Sequence, residues 1–216
     1  MLAVTVFRGV YEQIGNTVAL WADTGIDRTT AWKTIPMTWF QSLNPLLVFV
    51  MTPALLAVWR RRAAAGYEQS SLRKMTVGAL LVAAAYLLLA AVAVEAGTSR
   101  AGWLWLGLFF VVFTLGELYI LPTGLGLFAR LAPIGFGATT MAIWFLAIFS
   151  GSLAAGVVGT LWSRMSHALY FAVLAIIAGI AATLLYALDG PTRRIEAARG
   201  READAARAIR SEISLN

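Results

Sequence analysis

The 216-residue chain contains no cysteine and only one histidine, His167. Without cysteine there is no disulfide framework, no thiolate metal site and no cysteine nucleophile. A single histidine excludes a histidine metal cluster within one chain. Charged residues are also scarce, because they make up 13% of the chain, against about 25% in an ordinary soluble domain. These scarcities point away from disulfide scaffolds, from metal sites built on cysteine or histidine clusters, and from ordinary soluble domains.

Sequence motifs typical of enzymes are missing as well. The chain has no glycine-rich phosphate loop followed by Lys-Ser/Thr, no nucleophile elbow and no zinc motif. We therefore predict that it is not an enzyme. The N-terminal run MLAVTVFRGVYEQ has no basic region before its apolar residues and no small-residue cleavage site. It is therefore not read as a signal peptide.

Apolar residues, in contrast, are abundant. They make up 60% of the chain, and the mean hydropathy is +0.76, which predicts a membrane protein. A spanning helix needs about 20 residues, so with short loops this length holds about six of them. The length suits a small channel, a six-helix module or half of a larger carrier, and it does not suit a twelve-helix carrier.

Six apolar stretches are each long enough to cross a hydrocarbon core about 30 Å thick. Their approximate bounds are Leu2 to Trp21, Met37 to Trp59, Met75 to Val94, Trp103 to Phe128, Gly137 to Trp162 and Leu169 to Leu188. No alternating ten-residue pattern argues for a barrel, and a helix satisfies its own backbone in lipid. The predicted fold class is therefore an all-α, polytopic membrane protein with six transmembrane helices.

Basic residues are distributed unevenly over the predicted loops. One side of the membrane would carry twelve of them: Arg60, Arg61, Arg62, Arg73, Lys74, Arg130, Arg193, Arg194, Arg199, Arg201, Arg207 and Arg210. The other side would carry four: Arg28, Lys33, Arg100 and Arg164. The bias predicts that both termini are cytoplasmic. Because this charge lies on loops at the membrane surface, it does not indicate nucleic-acid binding.

The last residues differ in composition from the rest. The segment 190–216 opens with Gly190-Pro191, which predicts the end of the preceding helix. Acidic and basic residues then alternate, with Glu196 and Arg199 one helical turn apart. We therefore divide the chain into a six-helix bundle, 1–189, and a short cytoplasmic amphipathic tail, 190–216.

Three ionisable residues lie inside predicted spans: Arg8, Glu12 and Glu117. Such residues are expensive in lipid and are functional candidates by default. Arg8 and Glu12 are four residues apart and could pair on one helix face. The two acids each lie in the first helix of a group of three, as in carriers built from 3+3 inverted repeats. The alternative is that each acid is merely paired inside the bundle.

Polar and aromatic residues near mid-span add to these candidates. Asn44 can donate and accept hydrogen bonds as a peptide-like ligand requires, and Pro45 predicts a helix break beside it. Trp144 is too deep for an interfacial residue and could form an apolar pocket wall with Tyr11 and Tyr119. The alternatives are an interhelical hydrogen bond for Asn44 and plain packing for Trp144.

Several longer motifs resemble one family. They are FRGVYEQIGNTVALWAD, WFQSLNPLLVFVMTP, SSLRKMTVG, GELYILPTGLGLFARLAP and MAIWFLA. In this order and spacing the chain is similar to the C-terminal half of a proton-dependent oligopeptide transporter, a branch of the major facilitator superfamily. The motifs resemble that family's seventh to eleventh helices, and the resemblance runs from Phe7 to about Ala187.

The resemblance implies roles for individual residues. Glu117 matches the acid that holds the peptide's N-terminal amine, and Glu12 matches an acid implicated in proton coupling and gating. Asn44 matches an asparagine that contacts the peptide backbone or carboxylate, and Trp144 matches a tryptophan of the side-chain pocket. Arg8 stands where many members have tryptophan, so it is expected to pair with Glu12 and to alter coupling or substrate range.

The resemblance also implies partners. The family's N-terminal half carries an ExxER sequence that this chain lacks, so we expect a second six-helix half or another chain to complete the carrier. The implied function is proton-coupled symport of di- and tripeptides in the inner or plasma membrane, with a proton gradient and no cofactor. The alternatives are a free-standing six-helix scaffold or channel subunit, or an inactive remnant of a split gene.

Overall fold

The fold is all-α, as predicted. The computed structural model describes residues 1–29, 33–67, 69–133 and 135–215, with side chains described as far as residue 195. The helices are α1 Leu2–Tyr11, α2 Thr17–Thr24, α3 Met37–Ala64, α4 Ser71–Ala96, α5 Trp103–Leu131, α6 Gly137–Gly159 and α7 His167–Leu215. Two short parallel strands, β1 Ile26–Asp27 and β2 Ala101–Gly102, join the segment after α2 to the start of α5.

Five of these helices are long and apolar enough to cross a membrane. They are α3, α4, α5, α6 and the part of α7 up to Ile195, and they correspond to the second to sixth predicted stretches. The predicted break at Pro45 is wrong, because α3 continues through both Pro45 and Pro53. Membrane helices tolerate proline because neighbouring groups satisfy the backbone carbonyl that the ring leaves without a partner.

The first predicted stretch is not one continuous helix, and that expectation is wrong. Helix α1 ends at Tyr11, a single 3-10 turn spans Glu12–Ile14, and α2 begins at Thr17. Asn16, with φ −111° and ψ −96°, lies outside the helical region. Irregular backbone at membrane depth is tolerated only where protein surrounds it or where it lines a cavity. We therefore expect other helices to satisfy the backbone groups of this break.

The predicted helix end at Gly190-Pro191 is also wrong, because α7 runs through both residues. Asp189, directly before them, is buried and accepts hydrogen bonds from Ser70 and from Arg73, the latter with an Nε–Oδ2 distance of 3.1 Å. These contacts anchor α7 to the start of α4 at the point where proline removes one backbone hydrogen bond. The division into a bundle, 1–189, and a tail, 190–216, stays a prediction.

The packing of the helices follows the predicted 3+3 arrangement. Helix α4 packs along α7 and α5, α1 packs against α6 and α7, and α3 packs against α5. Suppose that α1–α2 is equivalent to α5, α3 to α6 and α4 to α7. Each of these helix–helix contacts then has an equivalent contact elsewhere in the bundle. The α4–α5 pair then matches α7–α1, α3–α5 matches α6–α1, and α4–α7 matches itself. This is the packing expected of two three-helix repeats.

Helices α4, α5 and α7 enclose the most completely buried part of the bundle. Tyr86, Phe109, Phe113 and Phe171, which we call the aromatic core, are all less than 2% exposed. The ring of Tyr86 lies 5.5 to 6.5 Å from the other three ring centroids. Beside them α4 and α5 cross closely at two glycines: a Cβ atom on Gly78 would lie 2.6 Å from the Gly116 carbonyl oxygen.

Candidate functional site

The break between α1 and α2 is organised around one buried amide. Gln13 is fully buried, and its Nε2 donates to the carbonyl oxygens of Gly9, at 3.2 Å, and Ala155, at 2.9 Å. Its Oε1 accepts from the hydroxyls of Thr17, at 3.0 Å, and Tyr170, at 2.9 Å. Since the side chain joins both sides of the break to α6 and α7, it fixes the direction in which the chain leaves α1.

The aromatic core also contributes to the break. The hydroxyl of Tyr86 donates to the carbonyl oxygen of Val10 at 2.9 Å. Carbonyls in the last turn of a helix have no partner within that helix, and in a membrane water does not replace it. Tyr86 therefore stabilises the C-terminal end of α1. Neither Gln13 nor Tyr86 was among the predicted site residues.

Arg8 and Glu12 form the ion pair that their spacing predicts. Their side chains are 20% and 35% exposed, so the pair is only partly shielded. Glu12 lies in the 3-10 turn and also accepts a hydrogen bond from the Ser152 hydroxyl of α6, at 3.0 Å. The guanidinium of Arg8 lies 4.6 Å from the ring centroid of Tyr11, within the range of a cation–π contact.

Glu117 is buried on α5 and is bound to α1 through Tyr11. The Tyr11 hydroxyl donates to Glu117 Oε1 at 2.7 Å. The other carboxylate oxygen, Oε2, is buried and has no hydrogen-bond partner among the described residues. A carboxylate held at one oxygen and unsatisfied at the other can accept a further charged donor.

The two acids thus belong to one chain of contacts across three helices. Glu117, Tyr11, Arg8, Glu12 and Ser152, which we call the polar network, connect α5 to α1 and α1 to α6. From the sequence, both acids lie inside predicted spans, and the helical spacing pairs only Arg8 with Glu12. The link through Tyr11 was not predicted, because it joins residues 106 positions apart.

Asn44 lies beside the polar network on α3. The hydroxyl of Thr114 donates to Asn44 Oδ1 at 2.6 Å. Thr114 and Glu117 are three residues apart on α5, so the amide is about one helical turn from the acid. The amide nitrogen of Asn44 has no partner among the described residues and is free to donate to a ligand. The predicted alternative, an interhelical hydrogen bond, accounts for only one end of this side chain.

Trp144 lies apart from these residues. It is buried, its ring centroid is 4.9 Å from that of Phe128, and it covers Gly124. Gly124 is two helical turns beyond Glu117, about 10 Å along α5. Tyr11 packs on Phe113, Tyr119 on Trp59 and Trp144 on Phe128, so the three rings have different neighbours. A shared pocket wall of Trp144, Tyr11 and Tyr119 stays a prediction. A role for Trp144 in a side-chain pocket stays a prediction.

Two cavities lie at opposite ends of the bundle, away from the polar network. One, of about 590 Å³, lies between the end of α4 and the start of α7, and the other, of about 570 Å³, lies between α3, α4 and α7. Neither is lined by Arg8, Tyr11, Glu12, Asn44, Glu117 or Trp144. The predicted site residues therefore do not line either of these two cavities.

Comparison with known proteins gives one consistent result. The POT family pattern matches residues 1–178. The di-/tripeptide transporter of Lactococcus lactis subsp. cremoris is 29% identical over 199 residues, covering 90% of this chain and 40% of that protein. The peptide transporter YePEPT of Yersinia enterocolitica is 30% identical over 210 residues, covering 90% and 39%. The chain thus spans about 40% of the length of these curated relatives.

Solved structures agree with the fold. A mutant of peptide transporter POT in complex with alafosfalin is 25% identical, with a TM-score of 0.79 over 90% of this chain and 40% of that one. An auto inhibited POT family peptide transporter is 26% identical, with a TM-score of 0.73 over 89% and 39%. The predicted fold, a six-helix half of a major facilitator protein, is confirmed, with a discontinuous first helix.

Proposed function

The chain belongs to the POT family, and on that premise we propose that it forms one half of a proton-coupled symporter for di- and tripeptides. Relatives named as di-/tripeptide and peptide transporters support the substrate class. In this proposal the polar network and Asn44 line one side of the peptide site. A second six-helix half completes the site, and a proton gradient supplies the energy without a cofactor.

Glu117 is proposed to bind the N-terminal ammonium group of the peptide. The observation that carries the proposal is its carboxylate, which Tyr11 orients at Oε1 and which has no partner at Oε2 within the described part of the chain. An unsatisfied buried acceptor costs about 1–3 kcal/mol, and more when it is charged. A primary ammonium group would remove that cost with a charge-assisted hydrogen bond.

Asn44 is proposed to bind the peptide's amide or carboxylate. Thr114 occupies its Oδ1 and so directs the amide nitrogen away from α5. The separation of about one helical turn between Asn44 and Glu117 suits two polar groups of the same short peptide. This pairing would favour ligands that carry both a free amine and a nearby carbonyl oxygen.

Glu12 is proposed to carry the coupled proton, and the position of Arg8 is proposed to depend on the charge of Glu12. Protonation of Glu12 would remove its negative charge and so weaken the ion pair with Arg8. Arg8 lies over Tyr11, and Tyr11 holds Glu117. Proton binding at Glu12 would therefore change the surroundings of the amine-binding carboxylate through three successive contacts, Glu12–Arg8, Arg8–Tyr11 and Tyr11–Glu117.

The protein is a multi-pass membrane protein, and we propose the inner or plasma membrane with both termini in the cytoplasm. The support is the distribution of basic residues, twelve on one side and four on the other. On insertion, loops rich in Lys and Arg stay on the cytoplasmic side.

Proton-driven dipeptide uptake into proteoliposomes tests the proposal as a whole. The chain is reconstituted alone and together with a matching N-terminal half, and we expect uptake only from the pair. Uptake by the chain alone would contradict the claim that it is one half and would favour the free-standing assembly. Uptake by neither would favour the inactive remnant.

The role of Glu117 is tested by replacing it with glutamine in the reconstituted pair. Glu117→Gln keeps the shape but removes the charge, so dipeptide affinity should fall by about tenfold or more. Glu95→Gln, at the exposed end of α4, removes an equal charge and serves as the matched control. An N-acetylated dipeptide should bind equally well to the wild type and to Glu117→Gln. If the wild type binds the free dipeptide no more tightly than the N-acetylated one, the assignment of Glu117 to the amine is contradicted.

A further inference from the structure

The cavity of about 570 Å³ lies where α3 ends, α4 begins and the apolar part of α7 ends. Four arginines line it together with two polar side chains, and its described lining contains no acid: Arg61, Arg62, Arg73, Arg193, Tyr67 and Gln69. These residues come from three different helices and the turn after α3. The fold therefore gathers charge that is dispersed over more than 130 positions of the sequence.

The positive charge of this cavity is only partly balanced. Asp189 lies beneath it, with Oδ2 3.1 Å from Arg73 Nε and 3.3 Å from Arg193 Nε. Arg61 and Arg62 have exposed side chains and no ion pair with a described residue. Glu68 follows Tyr67 in the sequence and lies outside the described residues. One buried carboxylate thus pairs with two of the arginines, and the other two have no acidic partner among the described residues.

The cavity lies at the level where a membrane meets water. Apolar surface runs up to it on both sides, since Leu56 on α3 and Leu188 on α7 are exposed within the same spans. Trp59, near the end of α3, faces the ammonium group of Lys74 at 4.7 Å, as an aromatic side chain at an interface does. A ligand with one anionic group and long apolar chains would match both surfaces.

We propose that this cavity binds the phosphate group of an anionic phospholipid. Arginine side chains bind phosphate oxygens in pairs through their planar donors, and basic pockets between membrane helices suit anionic headgroups. The site does not depend on peptide transport. It also has a mechanical consequence: only 6% of the apolar window of α3 is buried in the bundle, so a bound headgroup would tie the end of α3 to α4 and α7.

Native mass spectrometry of the purified full chain tests the proposal. The chain is titrated with phosphatidylglycerol and, separately, with phosphatidylcholine, and bound lipid is counted at each concentration. We expect phosphatidylglycerol to bind more tightly, and Arg61→Ala/Arg62→Ala to weaken its binding by about tenfold or more, since the variant removes two of the four arginines that line the cavity. Arg61→Lys/Arg62→Lys keeps the charge and should retain part of the binding.

A matched control separates this cavity from general basic charge. Arg60→Ala/Arg164→Ala removes two charges from residues that do not line it, and it should leave phosphatidylglycerol binding unchanged. Equal losses in both double variants, or no preference for phosphatidylglycerol, would overturn the proposal. Competition with inorganic phosphate distinguishes a lipid headgroup from a soluble anion. If inorganic phosphate displaces phosphatidylglycerol at equal concentration, the lipid assignment is overturned and the cavity is a soluble-anion site.

Discussion

The aromatic core and the polar network are neighbours, but they are built in opposite ways. The aromatic core joins α4, α5 and α7 through rings that are almost fully buried and, apart from the Tyr86 hydroxyl, wholly apolar. The polar network joins α1, α5 and α6 through an ion pair, hydrogen bonds and partly exposed side chains. The core fixes how α4, α5 and α7 pack, whereas the network keeps Arg8 Nε and Glu117 Oε2 without hydrogen-bond partners among the described residues.

Substitution of Gly78 should disrupt the packing beside the aromatic core and should have the largest effect on the free energy of unfolding. A Cβ atom at Gly78 would lie 2.6 Å from the Gly116 carbonyl oxygen and 2.7 Å from Ile120 Cγ1. Because the obstacle is backbone, Gly78→Val has to separate α4 from α5. We expect a loss of about 3 kcal/mol in the free energy of unfolding, measured by thermal denaturation in detergent.

Gly107→Val is the matched control for this prediction. Gly107 lies on α5, and a Cβ atom there would meet nothing within 4 Å. Its unfolding midpoint should stay close to that of the wild type. If Gly78→Val melts at the same temperature as Gly107→Val, the close crossing of α4 and α5 does not determine the stability of the bundle.

The core could largely be predicted from the sequence, because apolar length and composition determine which segments span the membrane. The second to sixth predicted stretches become α3 to α7 for this reason. The break in the first stretch could not be predicted in the same way. The run from Leu2 to Trp21 has the composition of a spanning helix, and the contacts that stabilise the break come from Ala155 and Tyr170, more than 140 positions away.

Replacement of Gln13 should destabilise the region around the polar network, with an intermediate effect on the free energy of unfolding. Gln13→Leu leaves the Tyr170 hydroxyl and the Ala155 carbonyl without their partner in a buried place. We expect a loss of about 2 kcal/mol in the free energy of unfolding, since interhelical hydrogen bonds in membranes are individually modest. The turn that carries Glu12 should also lose its fixed position, so proton-driven uptake by the reconstituted pair should fall.

Gln41→Leu provides the comparison for Gln13, because Gln41 lies exposed on α3. It should leave both the unfolding midpoint and uptake near the wild-type values. A Gln13→Leu protein that melts lower but transports normally would contradict the view that the break positions Glu12. In that case the buried amide would serve stability alone.

The site could be predicted only where its residues are close in sequence. Arg8 and Glu12 are four residues apart, so the helical spacing alone predicts their ion pair, and the structure confirms it. Tyr11 and Glu117, or Asn44 and Thr114, meet only because α1, α3 and α5 pack together. Local spacing therefore identifies individual candidates, and the packing of the helices determines which of them lie together.

Tyr86 belongs to the aromatic core and donates to α1 beside the polar network. Its substitution should have the smallest effect and should separate the contributions of the two regions. Tyr86→Phe keeps the ring in the aromatic core and removes only the hydrogen bond to the Val10 carbonyl. The expected loss in the free energy of unfolding is about 1 kcal/mol. Tyr186→Phe, whose ring is exposed on α7, is the control. If Tyr86→Phe is as stable as that control but lowers uptake, the hydroxyl acts on the end of α1 beside Glu12. If Tyr86→Phe lowers stability without changing uptake, the aromatic core supports the fold and the polar network is independent of it.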